Sequence, residues 1–453
     1  MEEMMLLNDS NGAARRSLRA AAIGNALEWF DWTLYGLFSS SLAESLFKKT
    51  DPHSALLSVL AVFAGGFVAR PIGGWLFGKI GDVFGRKTTL VITMSTLAAS
   101  SIAMALIPAY ENVGLLASAL LLVFRLIQGL AHGGESGVSY TYITEIAPAR
   151  RRGLWSSSVY VSVTVGVMAA TALAALISST LSREAMNAYG WRLGFAVGGL
   201  LGLYALFLRR SAVESEIFED VKREQEHETR RLTPQQMLRV SLNIIMICAA
   251  ANATYYSWFT FAPSVAISRG MNASVAYTIS LFSQALCLIW LPLAGWMSDR
   301  YGRKVTIVVW GIAVVILTYP ISIMIGNDPR TFLVAQILGL AAWSIITSIY
   351  PAVLAEQVPT YARARGVGLV TSISVAIFGG TAPYLNAYTA STSHQHAYIV
   401  YVMVLGAFAI LAGLTIHETA GVEISDIDAR FEHETAMKLQ LGEGKGYRTS
   451  EQP

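Results

Sequence analysis

Gly78-Lys-Ile-Gly-Asp82-Val-Phe-Gly85-Arg86-Lys87 returns in the second half of the chain as Gly295-Trp-Met-Ser-Asp299-Arg-Tyr-Gly302-Arg303-Lys304. Each copy lies between two long apolar runs, and Gly, Asp, Gly, Arg and Lys recur in register. A repeat at about half the chain length in so apolar a sequence implies two helical bundles joined pseudo-symmetrically, the build of a secondary transporter.

Composition settles the solvent. The 453 residues are 54% hydrophobic and only 14% charged, with a mean hydropathy of +0.49, whereas water-soluble domains carry about 25% charge. Stretches of about 20 apolar residues, enough to cross a bilayer core of about 30 Å, fall near 20–43, 55–78, 88–108, 114–138, 155–179 and 190–208. Six more follow near 241–263, 275–297, 305–325, 331–354, 367–389 and 398–417. In lipid each must be helical, because an open strand edge would leave amides unpaired. The expected fold is therefore an all-α polytopic membrane protein of twelve transmembrane helices in two six-helix bundles. Residues 1–208 form the N-terminal bundle, 209–240 a cytoplasmic linker, 241–418 the C-terminal bundle and 419–453 a cytoplasmic tail.

The first run holds Glu28 and Asp31, which a cleaved signal core would exclude, so it is expected to be retained. Most of the 33 Lys and Arg residues lie on the side of the N-terminus, in the even-to-odd loops and in the tail. That bias predicts cytoplasmic termini. The net charge of +3 accordingly reflects topology rather than nucleic-acid binding. Cys248 and Cys287 fall inside predicted helices 7 and 8, so no structural disulfide is expected. The linker is dense in charge, with a short surface helix expected around Glu214 to Glu228, and Gly442-Glu-Gly-Lys-Gly446 has too little apolar surface to order itself.

In the repeated loop, Gly permits a tight turn and Asp82 or Asp299 can meet a helix N-terminus or an Arg fork. A charged loop that pairs in one conformation and parts in another acts as a latch, for which Asp82, Arg86, Asp299 and Arg303 are the candidates; plain positive-inside anchoring is the simpler alternative. The motif resembles the loop signature of the major facilitator superfamily, and the twelve-helix pattern extends that resemblance over nearly the whole chain. A second repeat follows the fourth span of each half: Glu145-Ile-Ala-Pro148 runs into Arg150-Arg151-Arg152-Gly153, and Glu356-Gln-Val-Pro359 into Arg363-Ala-Arg365-Gly366. Glu145 and Glu356 are thus candidate gating residues, although exposed ion pairs contribute only about 0–1 kcal/mol.

A charge at mid-bilayer costs at least about 2.5–3.5 kcal/mol on insertion scales and marks a functional candidate. Glu28, Asp31, Arg70, Arg125 and Glu135 all fall in predicted helices 1, 2 and 4, whereas helices 7–12 carry essentially none before Glu356. Proton handling is therefore expected in the N-terminal bundle, on Asp31, Glu28, Glu135 and Arg125. At about 1.5 Å per residue, Asp31 and Arg70 lie at similar depth and could pair. In helix 4, Arg125, Gln128, His132, Glu135, Ser139 and Tyr142 recur at helical spacing on one face. That stripe lines a cavity or glues helices together, the latter favoured by Gly129, Gly133 and Gly134; His132 alone reads more simply as an interhelical donor.

Gly24-Asn25-Ala-Leu-Glu28-Trp29-Phe30-Asp31, Arg70-Pro71-Ile-Gly73-Gly74, Arg125-Leu-Ile-Gln128-Gly129 with Gly133-Gly134-Glu135, and Phe378-Gly379-Gly380-Thr381-Ala382-Pro383 together resemble the metabolite:proton symporter family of that superfamily. The resemblance implies uptake of a small organic acid or zwitterion, since members include α-ketoglutarate, citrate, shikimate and proline/betaine permeases. After Asp31 the chain reads Trp32-Thr33 in place of the more usual aromatic pair.

Candidate substrate ligands are Arg70, Arg125 and Gln128, with Tyr255, Tyr256 and Trp258 in helix 7 and Asn386 in helix 11. Arginine forks favour a carboxylate; if both were paired internally, a zwitterion held by aromatic rings would fit as well. No nucleophile signature, phosphate-cradling loop or metal cluster occurs, so neither enzyme activity nor cofactor nor metal is expected. Partners are the substrate, the proton and the lipid bilayer. Proton-driven efflux is the rival, weakened by the proline-free Val161-Ser-Val-Thr-Val-Gly166-Val-Met of helix 5.

Overall fold

A computed structural model describes residues 22–48, 52–210, 232–391 and 395–434. The N-terminal half contains α1 (22–46), α2 (Pro52–Phe84), α3 (Arg86–Ala105), α4 (Leu115–Ile146), α5 (Arg152–Thr180) and α6 (Trp191–Arg210). The C-terminal half contains α7 (Pro234–Tyr255, continuing through Ser268), α8 (Ala273–Tyr301), α9 (Arg303–Met324), α10 (Pro329–Thr347, followed by Tyr350–Glu356), α11 (Arg363–Ser374, continuing through Ser391) and α12 (Gln395–Thr415). Ten helices among the described residues are long and apolar enough to cross a membrane. With α1 and α2 they make the twelve of the expected fold. Their outward faces carry bare apolar side chains such as Leu200, Phe207, Ile289 and Ile316, which lipid covers in place of a protein core.

Close approach within the N-terminal bundle depends on glycine. A Cβ at Gly129 would strike the Gly66 carbonyl, and one at Gly133 the Arg70 carbonyl, so α4 lies backbone to backbone on α2. The two halves also share cores: Val138, Tyr142 and Ile143 of α4 pack in one cluster with Ile247, Ile346 and Val353.

Two segments differ from expectation at the bundle edges. Helix α7 starts inside the expected linker, because Thr233 and Gln236 form a reciprocal capping box ahead of Pro234, a strong start signal. The tail folds back: residues 424–434 form a further helix, α13, with Ile424 and Ile427 buried. The expected surface helix at Glu214–Glu228 and the glycine-rich stretch at 442–446 lie outside the described residues. Cys248 and Cys287 are free and buried.

Candidate functional site: a central cavity, a buried carboxylate and paired cross-bundle motifs

The described helices enclose a central cavity with about 730 Å³ of empty space, open to solvent. Its N-terminal wall is Trp29 and Trp32 of α1, Arg70 of α2, His132, Ser136 and Tyr140 of α4 and Tyr160 of α5. Its C-terminal wall is Asn252, Tyr255 and Tyr256 of α7, Trp343, Thr347 and Tyr350 near the end of α10, and Thr371, Ser372 and Val375 of α11. Both α7 and α11 widen into a π-helical turn beside the cavity, at Tyr256–Phe261 and Val375–Gly379, a distortion frequent at functional sites.

Arg70 is the cavity's cation. Its guanidinium carbon lies 4.2 Å from the Trp32 ring centre and 4.3 Å from that of Phe67, while its buried Nε and Nη2 have no protein acceptor. Uncompensated buried N–H groups are costly; Arg125 shares that lack at Nε and Nη2, but of the two only Arg70 lines the cavity, which makes it the candidate ligand. The wall opposite is aromatic. Tyr255 meets Trp29 edge-on at 6.1 Å and Trp343 at 5.8 Å, and Tyr160 meets Trp343 at 5.7 Å.

Asp31 occupies a separate pocket. Its Oδ1 accepts from Ser101 Oγ at 2.6 Å and its Oδ2 from Gln128 Nε2 at 2.7 Å. Arg125 donates to Gln128 Oε1 at 2.9 Å, so the amide bridges cation and carboxylate. The same guanidinium rests 3.6 Å from the Trp32 ring centre; Trp32 therefore touches both arginines. The expected Asp31–Arg70 pair does not form, because equal depth leaves helix rotation open and Arg70 turns onto Trp32 and Phe67. Glu28 meets His132 Nδ1, and His132 stacks on Trp32 at 5.0 Å. Glu135 accepts from Thr93 Oγ1 of α3.

The α4 stripe is thus wholly buried, from Arg125 to Tyr142, yet its members face different partners, and of its expected ligands neither Arg125 nor Gln128 lines the cavity. Trp258 lies outside it too, wedged on Gly339 of α10, where a Cβ would come within 2.6 Å of its ring. Asn386 is half-buried and not part of the lining. Trp29, Trp32, Tyr160, Trp343 and Tyr350 were not anticipated; each reads as ordinary membrane-helix apolar content, with no charge to single it out.

At the helix ends that carry the repeated motifs, bonds cross between the halves. Asp82 accepts from Ala364 N at 3.1 Å and Arg365 N at 2.9 Å, the first turn of α11. Asp299 accepts from Gly153 N at 2.7 Å and Leu154 N at 2.9 Å, the first turn of α5. Each carboxylate thereby caps a helix of the other bundle and also pairs with the arginine one turn on, Arg86 or Arg303. Those arginines reach the second motif: Arg86 and Arg363 both meet Glu145 at 3.2 Å, and Arg303 and Arg152 meet Glu356 at 3.4 and 3.0 Å. Gly85 and Gly302 share φ of 102°, a left-handed turn that strains any side chain.

The tail adds contacts that sequence reading missed, since they have no repeat partner. Glu418 accepts from Arg303 N at 2.8 Å and Lys304 N at 3.1 Å, capping α9. Burial opposes its charge, but bonds from backbone amides hold its carboxyl below the usual range. Thr419 donates to Glu356 at 2.6 Å, and Asp428 of α13 accepts from Thr360 and meets Arg363.

Two pseudo-symmetric six-helix bundles about a central cavity, latched at one end by a duplicated loop, define a membrane transporter. The chain belongs to the major facilitator superfamily, within its metabolite:proton symporter family. The profile described as "Sugar (and other) transporter" matches residues 18–233, and that described as "Major Facilitator Superfamily" matches 282–435. The chain is 34% identical to an alpha-ketoglutarate permease of Escherichia coli, over 88% of this chain and 92% of the relative. It is 30% identical to a glycine betaine/proline/ectoine/pipecolic acid transporter of Dickeya dadantii, over 93% and 86%. The proton:xylose symporter XylE bound to 6-bromo-6-deoxy-D-glucose shares the fold, with a TM-score of 0.80 at 17% identity over 93% of this chain and 100% of that one.

Proposed function

We propose that the protein is a proton-coupled symporter that takes a small organic carboxylate into the bacterial cell across the inner membrane by alternating access, with both termini cytoplasmic. The observation that carries this reading is Arg70, a buried guanidinium in the central cavity with two N–H groups and no protein acceptor. A carboxylate supplies two oxygens in the matching geometry. Asp31, bonded to Ser101 and Gln128 and linked through Gln128 to Arg125, is the proton carrier, with Glu28 and Glu135 as further acids of the same bundle. Proton release from Asp31 frees it to draw on Arg125, and Trp32, in contact with both arginines, places that change beside the substrate. Asp82, Arg86, Glu145 and their counterparts Asp299, Arg303, Glu356 hold the cytoplasmic side shut and part when the protein opens inward.

A second reading, uptake of an osmolyte such as betaine or proline, is favoured by the ring-lined wall opposite Arg70, which suits a methylated ammonium, and by the relative from Dickeya dadantii. Both readings share proton coupling. In proteoliposomes, accumulation of substrate under an inward proton gradient should collapse on adding a protonophore; full accumulation sustained by a sodium gradient alone would overturn the proton's role.

A further inference from the structure

The cavity's charge inventory narrows the substrate further, provided the cavity is the substrate site as proposed above. Among the described residues two arginines lie at mid-membrane, and only Arg70 faces the cavity: Arg125 is fully buried, bound through Nη1 to Gln128 and laid on Trp32, and although its Nε and Nη2 also lack an acceptor it lies outside the cavity lining. His132 is engaged by Glu28. The C-terminal wall brings hydroxyl, amide and indole groups but no cation. One guanidinium fork therefore remains, and it satisfies the two oxygens of one carboxylate.

A second ionised carboxylate would be desolvated against Tyr and Trp rings without a counter-charge, which low-dielectric surroundings penalise strongly. We infer that the transporter selects molecules bearing a single carboxylate, the rest of the molecule lying on the aromatic wall, and rejects di- and tricarboxylates. Ring faces accept either a flat unsaturated ring or a methylated ammonium; both chemistries leave one carboxylate for Arg70.

Matched pairs test this on the purified full-length protein. Thermal shift and counterflow in proteoliposomes would compare succinate with its monomethyl ester, and α-ketoglutarate and citrate with benzoate and glycine betaine, at pH 7. The half-ester should bind at least about a hundredfold more tightly than succinate, the loss expected of an unpaired buried ion. Benzoate against glycine betaine then separates the flat ring from the ammonium. Arg70→Lys, which keeps the charge and loses the fork, should weaken every binder at least tenfold, with α2–α4 packing and the melting temperature of the empty protein unchanged. Dianions that bind as well as their half-esters sink the inference while leaving the transporter reading intact. If no carboxylate of the panel binds and Arg70→Lys changes nothing, the reading of the cavity as an anion site falls first and takes the inference with it.

Discussion

The proposed gate and the membrane interior of this protein obey opposite rules. At the gate the main pairs recur in both halves: Asp82 and Asp299 each cap the first turn of a helix in the other bundle, and Glu145 and Glu356 each hold one arginine from either half. At mid-membrane they share little. Glu28, Asp31, Arg70, Arg125 and Glu135 belong to the N-terminal bundle, against Tyr255, Tyr256 and Trp343 on the other side. Closing a two-fold assembly asks the same of each half, so duplicated residues keep duplicated tasks. Recognising a molecule and carrying a proton asks for charge in one place and apolar surface in another, and concentrating the ions in one bundle limits how many must be desolvated.

The interior should therefore be the more sensitive region. Asp31→Asn mimics a permanently protonated carboxyl and is expected to abolish uphill uptake while substrate counterflow continues near the wild-type rate. Measuring both in the same vesicles sharpens the contrast; retained accumulation would move the proton site elsewhere in the bundle. Arg125→Ala should lose both activities, since it leaves the Gln128–Asp31 bridge without its cation.

A smaller effect is expected at the gate, and the same one twice. Asp82→Asn and Asp299→Asn each keep size and lose charge-assisted bonds worth about 1.5–3 kcal/mol. Each should cut turnover roughly tenfold, with substrate affinity within about twofold, because neither residue lines the cavity. Rates that differ by more than about threefold between the two variants would show that the asymmetry of the interior extends to the gate.

The weakest effect belongs to the tail, whose Glu418 caps a helix of the second half without a counterpart in the first. Glu418→Gln should lower the melting temperature by a few degrees and leave uptake within about twofold. Its folded-state pKa is depressed, so its contribution is present above the ordinary carboxylate range near pH 4.3 and lost as pH falls through the lower folded value. Stability differences between wild type and Glu418→Gln should therefore hold from pH 7 to 5 and vanish only in strong acid. A difference that disappears by pH 6 would place the stabilisation elsewhere.

Much of this was legible before any coordinates. The duplicated decamer announces two bundles and paired contacts between them, because identical short-range chemistry at equivalent loop positions leaves few other arrangements. The 3-4 spacing from Arg125 to Tyr142 correctly puts six polar residues on one buried face. The Glu145 and Glu356 motifs, read as a repeat, contain the acids whose ion pairs join arginines of the two halves. What sequence spacing could not show is whom each residue meets: Arg70 and Asp31 share a depth but not a neighbour, and Trp258, chosen with Tyr255 and Tyr256, turns away onto Gly339.

By itself the sequence determined the solvent, the helix count, the two-fold repeat and the bundle that holds the ions, because composition and periodicity act within one segment at a time. Only the tertiary structure decided that Asp31 bonds Ser101 and Gln128, that Trp32 joins both arginines, that Arg70 and not Arg125 faces the cavity, and that Glu418 folds back to cap α9. Rise per residue sets a side chain's height along its helix. Its direction depends on how neighbouring helices rotate and approach, and here that rests on glycine contacts such as Gly129 and Gly133 against α2, which no single helix contains.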